Sequence, residues 1–194
     1  VLFASGCPGE GKTTTTINTA IVFAQMEAKV LVIDGDLRRS SCHKRLWLMN
    51  APGLTEYLTG QKTLEQVIKV TLTDNLFVVT GGAIPPDPAK LVGSRKMYEI
   101  LTRLTEQFDY IFIDSPPLIA VSDAVRLSTM VDGVVLVVKG QETTRDGLKE
   151  ACSRLHYARA KILGVVLNRV DMKNGDYRYY NRDFYRTATY PDAT

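Results

Sequence analysis

A glycine-rich motif near the start of the chain constrains its fold more than any other feature. Residues 6–13 read GCPGEGKT and match the pattern G-x-x-x-x-G-K-[ST]. The apolar segment VLFAS precedes the motif, and a helix-length stretch from Thr13 to about Ala28 follows it. Strand, loop and helix in this order predict a loop whose backbone amides hold phosphate groups at a helix N-terminus.

Each residue type in the motif suits a phosphate ligand. Glycines let the backbone approach phosphate oxygens, Lys12 can reach the β- and γ-phosphates, and the Thr13 hydroxyl can ligate magnesium. The alternative is a glycine-rich turn with a surface lysine, which leaves the matching strand and helix unexplained. We therefore predict a nucleotide site that includes Pro8, Gly9, Glu10, Gly11, Lys12, Thr13 and Thr14.

Short apolar segments recur between helix-length amphipathic stretches. They are predicted strands, at residues 1–4, 30–33, 76–79, 110–113, 134–138 and 162–167. Their alternation with helices predicts an α/β fold with a doubly wound, mostly parallel sheet, as in P-loop NTPases. Residues 83–90 contain three prolines, and we expect them to form a loop over the carboxyl edge of this sheet.

Three acidic residues directly follow two of the predicted strands. Asp34 and Asp36 end the second strand and Asp114 ends the fourth, at the edge where such sheets bind ligands. One acid alone could equally be a turn or N-cap residue. Three acids beside a phosphate loop predict magnesium ligands and a group that hydrogen-bonds the attacking nucleophile. Arg38 is expected either to balance the negative charge of a bound phosphate or to form an ion pair with Asp34 or Asp36.

Two further features lie beside the predicted site. Asn168 and Arg169 end the last strand, where this fold class often contacts the base, although a plain strand-end turn is an equal alternative. Cys7 lies inside the phosphate loop, where we interpret it as an ordinary loop residue, with a redox sensor as the alternative.

The composition changes after Val170, where the chain becomes polar and rich in tyrosine. We therefore divide the chain into a domain, residues 1–170, and a tail, residues 171–194. Nine tyrosines occur in the chain, and the tail contains Tyr177, Tyr179, Tyr180, Tyr185 and Tyr190. An aromatic interface strip or a nucleic-acid stacking surface is the alternative to a set of phosphate acceptors. The interleaved charged residues give the tail no regular period of 2 or 3.6.

Composition excludes several classes of protein. A net charge of +3 is too weak to imply a nucleic-acid partner, and three scattered cysteines favour a reducing, cytoplasmic compartment. The apolar segment 133–138 is far shorter than the roughly 20 residues that cross a bilayer. Because Val1 already lies in a predicted strand, we expect natural sequence upstream of it.

Taken together, these residues resemble the bacterial protein-tyrosine kinases of exopolysaccharide and capsule assembly, whose deviant Walker ATPase fold differs from that of eukaryotic kinases. The similarity covers essentially the whole chain. It includes the tyrosine-rich C-terminus and the segments PGEGKT (8–13), LVIDGDLRR (31–39), GLTEYLTG (53–60), PPDPAKL (85–91) and FDYIFIDSPP (108–117). Partitioning and septum-positioning ATPases, the nearest relatives of this family, usually carry a second lysine at the position of Cys7.

The resemblance implies an ATP- and Mg²⁺-dependent kinase that phosphorylates its own tail and regulates polysaccharide synthesis and export. Residue by residue, it implies that Lys12 binds phosphate and that Thr13 and Asp36 bind magnesium. Asp114 would bind magnesium through water, and Asp34 would polarise the acceptor tyrosine.

The resemblance also implies partners. They are a second copy of the chain whose active site takes the tail, a membrane activator protein or fused membrane segment, and an antagonistic tyrosine phosphatase. The protein would then act at the inner face of the cell membrane.

A multiply phosphorylated tail is expected to be repelled by Asp34, Asp36 and Asp114. The competing interpretation is a nucleotide-switched dimeric positioning ATPase that binds DNA or a protein and uses water as nucleophile.

Overall fold

The computed structural model describes residues 1–170, which form one mixed sheet covered by helices. Its strands are β1 (Leu2–Ser5), β2 (Val30–Asp34), β3 (Ile68–Val70), β4 (Leu76–Val79), β5 (Tyr110–Asp114), β6 (Val134–Lys139) and β7 (Ile162–Asn168). Its helices are α1 (Lys12–Gln25), α2 (Cys42–Arg45), α3 (Leu54–Leu58), α4 (Leu64–Val67), α5 (Pro88–Val92), α6 (Arg95–Thr105), α7 (Asp123–Ser128) and α8 (Arg145–Tyr157).

The strand order across the sheet is β3-β4-β2-β5-β1-β6-β7. All neighbouring pairs are parallel except β3 with β4. The predicted α/β, doubly wound, mostly parallel fold is therefore confirmed. Asp34 and Asp114 are register partners at the carboxyl ends of β2 and β5, which brings these two predicted site residues side by side.

Two hydrophobic clusters cover opposite faces of the sheet. In β2, Val30 and Val32 belong to the cluster beneath α1, whereas Leu31 and Ile33 belong to the cluster on the other face. This alternation is the period-two pattern of a strand that is buried on both sides. The uninterrupted apolar run in the sequence therefore identifies a central strand, and its carboxyl end is rigidly fixed.

The structure corrects two of the predicted boundaries and adds one strand. Helix α1 ends at Gln25, and Glu27 has a left-handed backbone with φ of 65° that stops it. Strand β3 was not predicted, because its three residues are too few to show a pattern. Residues 83–90 were expected to be entirely loop, but α5 begins at Pro88.

The start of α5 has a clear physical cause. A proline at the first helical position loses no helical hydrogen bond, because that amide has no partner within the helix. The side chain of Asp87 then accepts a hydrogen bond from the backbone amide of Lys90 at 3.0 Å. Pro85 and Pro86 therefore lie in the loop, whereas Pro88 is the first residue of the helix.

Within residues 1–170, none of the helices combines the length and apolar character needed to cross a membrane. The predicted phosphate acceptors lie outside the described residues, and so does the rest of the tail. They are Tyr177, Tyr179, Tyr180, Tyr185 and Tyr190.

Candidate active site

A cleft of about 510 Å³ opens at the carboxyl edge of the sheet, above β1 and β2. The phosphate loop forms one part of its wall, the segment after β2 forms a second, and the segment after β5 forms a third. The lining residues are Ser5, Pro8, Gly9, Glu10, Gly11, Lys12, Thr13, Thr14, Asp36, Arg38, Arg39, Arg45, Pro116, Pro117, Ala120, Val121 and Arg169. All of the predicted loop residues thus border one cleft.

The phosphate loop is held in shape by its own glutamate. The Glu10 carboxylate accepts a hydrogen bond from the Cys7 amide at 2.9 Å and another from the Thr143 hydroxyl. Glu10 is buried, with only 4% of its surface exposed, and its carboxylate stabilises the loop, while the predicted contact of its backbone with a nucleotide stays a prediction. Thr143 was not predicted as a neighbour of the loop, because it lies far away in the sequence.

The end of β7 is attached to the same loop. The Asn168 side-chain amide donates a hydrogen bond to the Glu10 carbonyl oxygen at 3.0 Å, and Arg169 lines the cleft. The predicted proximity of this strand end to the nucleotide site is therefore seen, while base recognition by Asn168 stays a prediction. The described residues end at Val170, one position after Arg169.

Gly11 has two requirements that only glycine meets. Its φ is +93°, and a Cβ atom there would lie 1.8 Å from Nδ2 of Asn168. We expect Gly11→Ala to cost about 1–2 kcal/mol in the free energy of unfolding and to weaken nucleotide binding at least about tenfold, because the loop must distort. Chemical denaturation and nucleotide titration measure both effects.

Gly164 provides the matched control for this substitution. A Cβ atom at Gly164 would have no neighbour within 4 Å, so Gly164→Ala should leave nucleotide affinity unchanged. If Gly11→Ala binds nucleotide as well as Gly164→Ala does, the loop assignment is wrong.

Lys12, Thr13 and Asp114 meet at the floor of the cleft. The Lys12 Nζ atom lies 2.6 Å from Oδ1 of Asp114, and the Thr13 hydroxyl donates to Oδ2 at 2.6 Å. Both Lys12 and Asp114 are buried. A threonine hydroxyl and a carboxylate are the hard oxygen ligands that magnesium prefers, so these residues fit the predicted ion.

Asp34 lies beside Asp114 and accepts four hydrogen bonds. Its Oδ2 atom accepts from the Ser40 hydroxyl at 2.6 Å and from the Ser41 and Cys42 amides, while Oδ1 accepts from the Asp36 amide. Burial, and secondarily the charge of Asp114, raise the pKa of Asp34 to about 6. Four donors therefore fix the orientation of the Asp34 carboxylate, and its pKa lies above the usual range of an aspartate.

Asp36 occupies a different layer of the site. It is half-buried and lines the cleft, and its Oδ1 atom accepts hydrogen bonds from the Arg38 and Arg39 amides at 3.2 and 2.9 Å. Asp34 and Asp114 lie beneath the cleft wall and are fully buried. The three predicted acids are thus brought to one region, with Asp36 nearest to the open cleft.

Cys42 is a neighbour of these acids that the sequence did not reveal. Its Sγ atom lies 3.8 Å from Oδ2 of Asp114, and one ligand atom each from Asp34, Cys42 and Asp114 lie within 4.8 Å of one another. Burial raises the pKa of the Cys42 thiol well above its usual value. The Cys42 thiol therefore stays protonated and uncharged beside the two carboxylates. Cys7, in contrast, is exposed on the phosphate loop.

The structure corrects the expected partner of Arg38. The Arg38 guanidinium donates to both carboxylate oxygens of Asp123 at 2.8 and 3.3 Å, and not to Asp34 or Asp36. This contact is the main reason that the pKa of Arg38 is raised. Asp123 begins α7, so the pair joins that helix to the cleft wall.

The phosphate loop after β1, and carboxylates at the ends of β2 and β5, define a P-loop nucleotide-binding protein. The AAA domain family model matches residues 3–164. The tyrosine-protein kinase YwqD of Bacillus subtilis (strain 168) is 39% identical over 181 residues, which cover 93% of this chain and 76% of YwqD.

Solved structures give the same classification. The kinase domain of Escherichia coli tyrosine kinase ETK is 30% identical with a TM-score of 0.87, over 100% of this chain and 71% of that one. The septum site-determining protein MinD from Pyrococcus horikoshii OT3, complexed with Mg-ADP, is 28% identical with a TM-score of 0.76, over 89% and 71% of the two chains. The chain belongs to the family of bacterial tyrosine-protein kinases.

Proposed function

We propose that this kinase transfers the γ-phosphate of ATP, with Mg²⁺, to tyrosines of its own tail. The convergence of Lys12, Thr13 and Asp114 beside a cleft that is also lined by Arg169, two residues before the tail, carries this proposal. The acceptors would be Tyr177, Tyr179, Tyr180, Tyr185 and Tyr190.

Phosphate binding is assigned to the loop and Lys12. The backbone amides of residues 8–14 and the N-terminus of α1 favour anionic oxygens. To reach the β- and γ-phosphates, the Lys12 ammonium exchanges its contact with Asp114 for the nucleotide. Thr13, Asp36 and Asp114 would hold Mg²⁺, which offsets the negative charge of the phosphates.

Transfer itself requires a positioned acceptor. The phenolic oxygen of a tail tyrosine forms a bond to the γ-phosphorus, the bond from phosphorus to the bridging oxygen breaks, and ADP leaves. Free tyrosine has a pKa near 10, so its proton needs a carboxylate acceptor, which we assign to Asp34. The four donors around Asp34 fix its orientation, and the Ser40 hydroxyl at 2.6 Å must yield when the phenol approaches.

The tail can reach this site from its own domain. Arg169 lines the cleft, and Tyr177 follows eight residues later, a distance of up to roughly 28 Å when extended. This length does not distinguish transfer within one chain from transfer to a second copy.

Substitution of the acids tests the division of labour. We expect Asp36→Asn and Asp114→Asn to weaken Mg²⁺-dependent ATP binding at least about tenfold, because each removes a charged ligand. Asp34→Asn should bind ATP with Mg²⁺ nearly normally and lose at least about 100-fold in transfer. Calorimetric titration of each variant, with and without Mg²⁺, provides the binding measurement.

The control for this series is Asp146→Asn, whose carboxylate is exposed on α8. It should match the wild type in both binding and transfer. If Asp34→Asn loses Mg²⁺-dependent binding while Asp36→Asn retains it, the roles of Asp34 and Asp36 are exchanged.

We extend the proposal to the cellular role on the basis of the family resemblance. The kinase would regulate exopolysaccharide or capsule synthesis and export from the inner face of the cell membrane. Its partners would be further copies of itself, a membrane activator or membrane segment, and a tyrosine phosphatase. The similarity to MinD supports a second candidate function, a positioning ATPase that transfers phosphate to water.

A further inference from the structure

Among the residues that the structure describes, three exposed arginines line the cleft without a partner for the guanidinium group: Arg39 and Arg45, which follow β2, and Arg169, which follows β7. Among the contacts that residues 1–170 make, none of the three guanidinium groups takes part in a salt bridge or a hydrogen bond. Lys12 and Arg38, which line the same cleft, are by contrast paired with Asp114 and Asp123.

The backbone beneath Arg39 and Arg45 is fixed by the acids of the site. The Arg39 amide donates to Asp36 at 2.9 Å. Helix α2 carries Arg45, and the amides that begin it, at Ser41 and Cys42, both donate to Asp34. The carboxylates assigned to chemistry therefore also fix the backbone from which the two arginine side chains extend.

The charge that faces the cleft is positive. Of its two acidic lining residues, Glu10 is buried and bonded within the phosphate loop, which leaves Asp36 as the partly exposed carboxylate. Asp34 and Asp114 were expected to repel a phosphorylated tail, but both are fully buried beneath the wall. Asp114 is in addition paired with Lys12, so the exposed charges that border the cleft are mainly those of arginines, which favours attraction of an anion over the expected repulsion.

The unmodified tail has no net charge. Residues 171–194 contain four acidic and four basic side chains, which are Asp171, Asp176, Asp183, Asp192, Lys173, Arg178, Arg182 and Arg186. Each phosphotyrosine adds about −1.5 to −2 charges and three acceptor oxygens. Two guanidinium groups suit such a phosphate monoester, because each can donate two parallel hydrogen bonds.

We propose that Arg39 and Arg45 bind the phosphotyrosine of a tail that has already been modified, and so retain it for the next transfer. The inference rests on the proposed autokinase function and adds a product-recognition site to it. Tyr177, Tyr179 and Tyr180 are close neighbours in sequence, so retention of one phosphate keeps the next acceptor beside the cleft.

The phosphates of ATP are chemically similar to phosphotyrosine, but we assign their binding to a different segment of the chain. The loop amides and Lys12 lie on the segment after β1, whereas Arg39 and Arg45 follow β2. If the arginines bind phosphotyrosine, a bound nucleotide should leave their site free. Competition between the two ligands therefore distinguishes the two sources of phosphate.

Peptide binding to the full chain tests the proposal. The probe is a fluorescent peptide of residues 174–187 phosphorylated at Tyr179, compared with the same peptide without phosphate. Anisotropy is recorded at 0.15 M salt with Mg²⁺ and a saturating non-hydrolysable ATP analogue, because salt screens weaker attractions. We expect the phosphopeptide to bind at least about tenfold more tightly, as for a site built from charge-assisted hydrogen bonds.

Arg39→Gln and Arg45→Gln should each reduce this preference, and the double variant should abolish it. The matched control is Arg103→Gln, an exposed arginine on α6, which should retain the full preference. Equal affinity for the two peptides, a preference that survives the double variant, or displacement of the phosphopeptide by the ATP analogue would each overturn the proposal. Because the peptides are synthetic, a chain that lacks autokinase activity but keeps the preference overturns the proposed function alone.

Discussion

Replacing Lys12 with methionine is expected to reduce transfer of phosphate to tyrosine by at least about 100-fold. Lys12 is the cation of the phosphate loop, and its ammonium lies 2.6 Å from Asp114 at the floor of the cleft. The charge that accumulates on the phosphate oxygens in the transition state loses its closest fixed counter-charge in this variant. Incubation with γ-labelled ATP and measurement of label on tyrosine gives the rate.

The structure adds a consequence for stability. Methionine leaves the buried Asp114 carboxylate with the Thr13 hydroxyl as a donor but without a counter-charge, which costs about 3 kcal/mol of the free energy of unfolding. Circular dichroism and chemical denaturation must therefore accompany the assay. Lys12→Arg keeps a positive charge and separates the two effects, since its planar group is too broad for the role of a point charge in the loop.

Lys149→Met is the matched control, because Lys149 is exposed on α8 and far from the phosphate loop in sequence. It should keep both the activity and the stability of the wild type. A folded Lys12→Met variant that retains most of the transfer activity would contradict the assignment of the loop.

Removal of the residues after Asp176 is expected to eliminate autophosphorylation and to leave ATP binding intact. All the cleft residues, up to Arg169, remain in this variant, whereas all five proposed acceptors are lost. Nucleotide affinity by calorimetry should stay within about twofold of the wild type, because the loop and its ligands are unchanged.

A full-length variant with all five tail tyrosines changed to phenylalanine controls for the loss of tail length. Phenylalanine preserves the aromatic surface and removes only the hydroxyl nucleophile. It should also be inactive in autophosphorylation. Continued labelling of either variant would place the acceptor among the tyrosines of residues 1–170.

Much of the scaffold could be predicted because its signals are local. The strands β2 and β5 follow from uninterrupted apolar runs, and the phosphate loop follows from adjacent residues. Asp34 and Asp114 could be placed together because parallel strands end at one edge. Sequence reasoning stopped both strands one residue early, since a buried aspartate interrupts the apolar pattern.

Contacts between distant parts of the chain could not be predicted in the same way. Arg38 had two nearby acids as candidate partners, but the fold brings α7 and its Asp123 closer. The contact of Glu10 with Thr143 depends on the crossover that places the segment after β6 beside the loop. A local sequence pattern does not show which of several acidic residues the fold brings close to a given arginine.

The arginines that line the cleft after β2 belong to a basic run that is visible in the sequence. Residues 38–45 read RRSSCHKR, a strongly basic run directly after the two acids of β2. A solvated surface is the usual meaning of such a run. All three arginines of this run line the cleft, and only the structure shows that Arg38 is paired with Asp123 whereas Arg39 and Arg45 have no such ion pair among the described residues.

The most direct test of the account is to incubate the purified wild-type chain with γ-labelled ATP and Mg²⁺ and to map the label by mass spectrometry. We predict phosphotyrosine within the tail, at residues 177–190, in protein that contains no other kinase. Release of labelled inorganic phosphate at a comparable rate, with no label on any tyrosine, would contradict the account and favour the positioning ATPase.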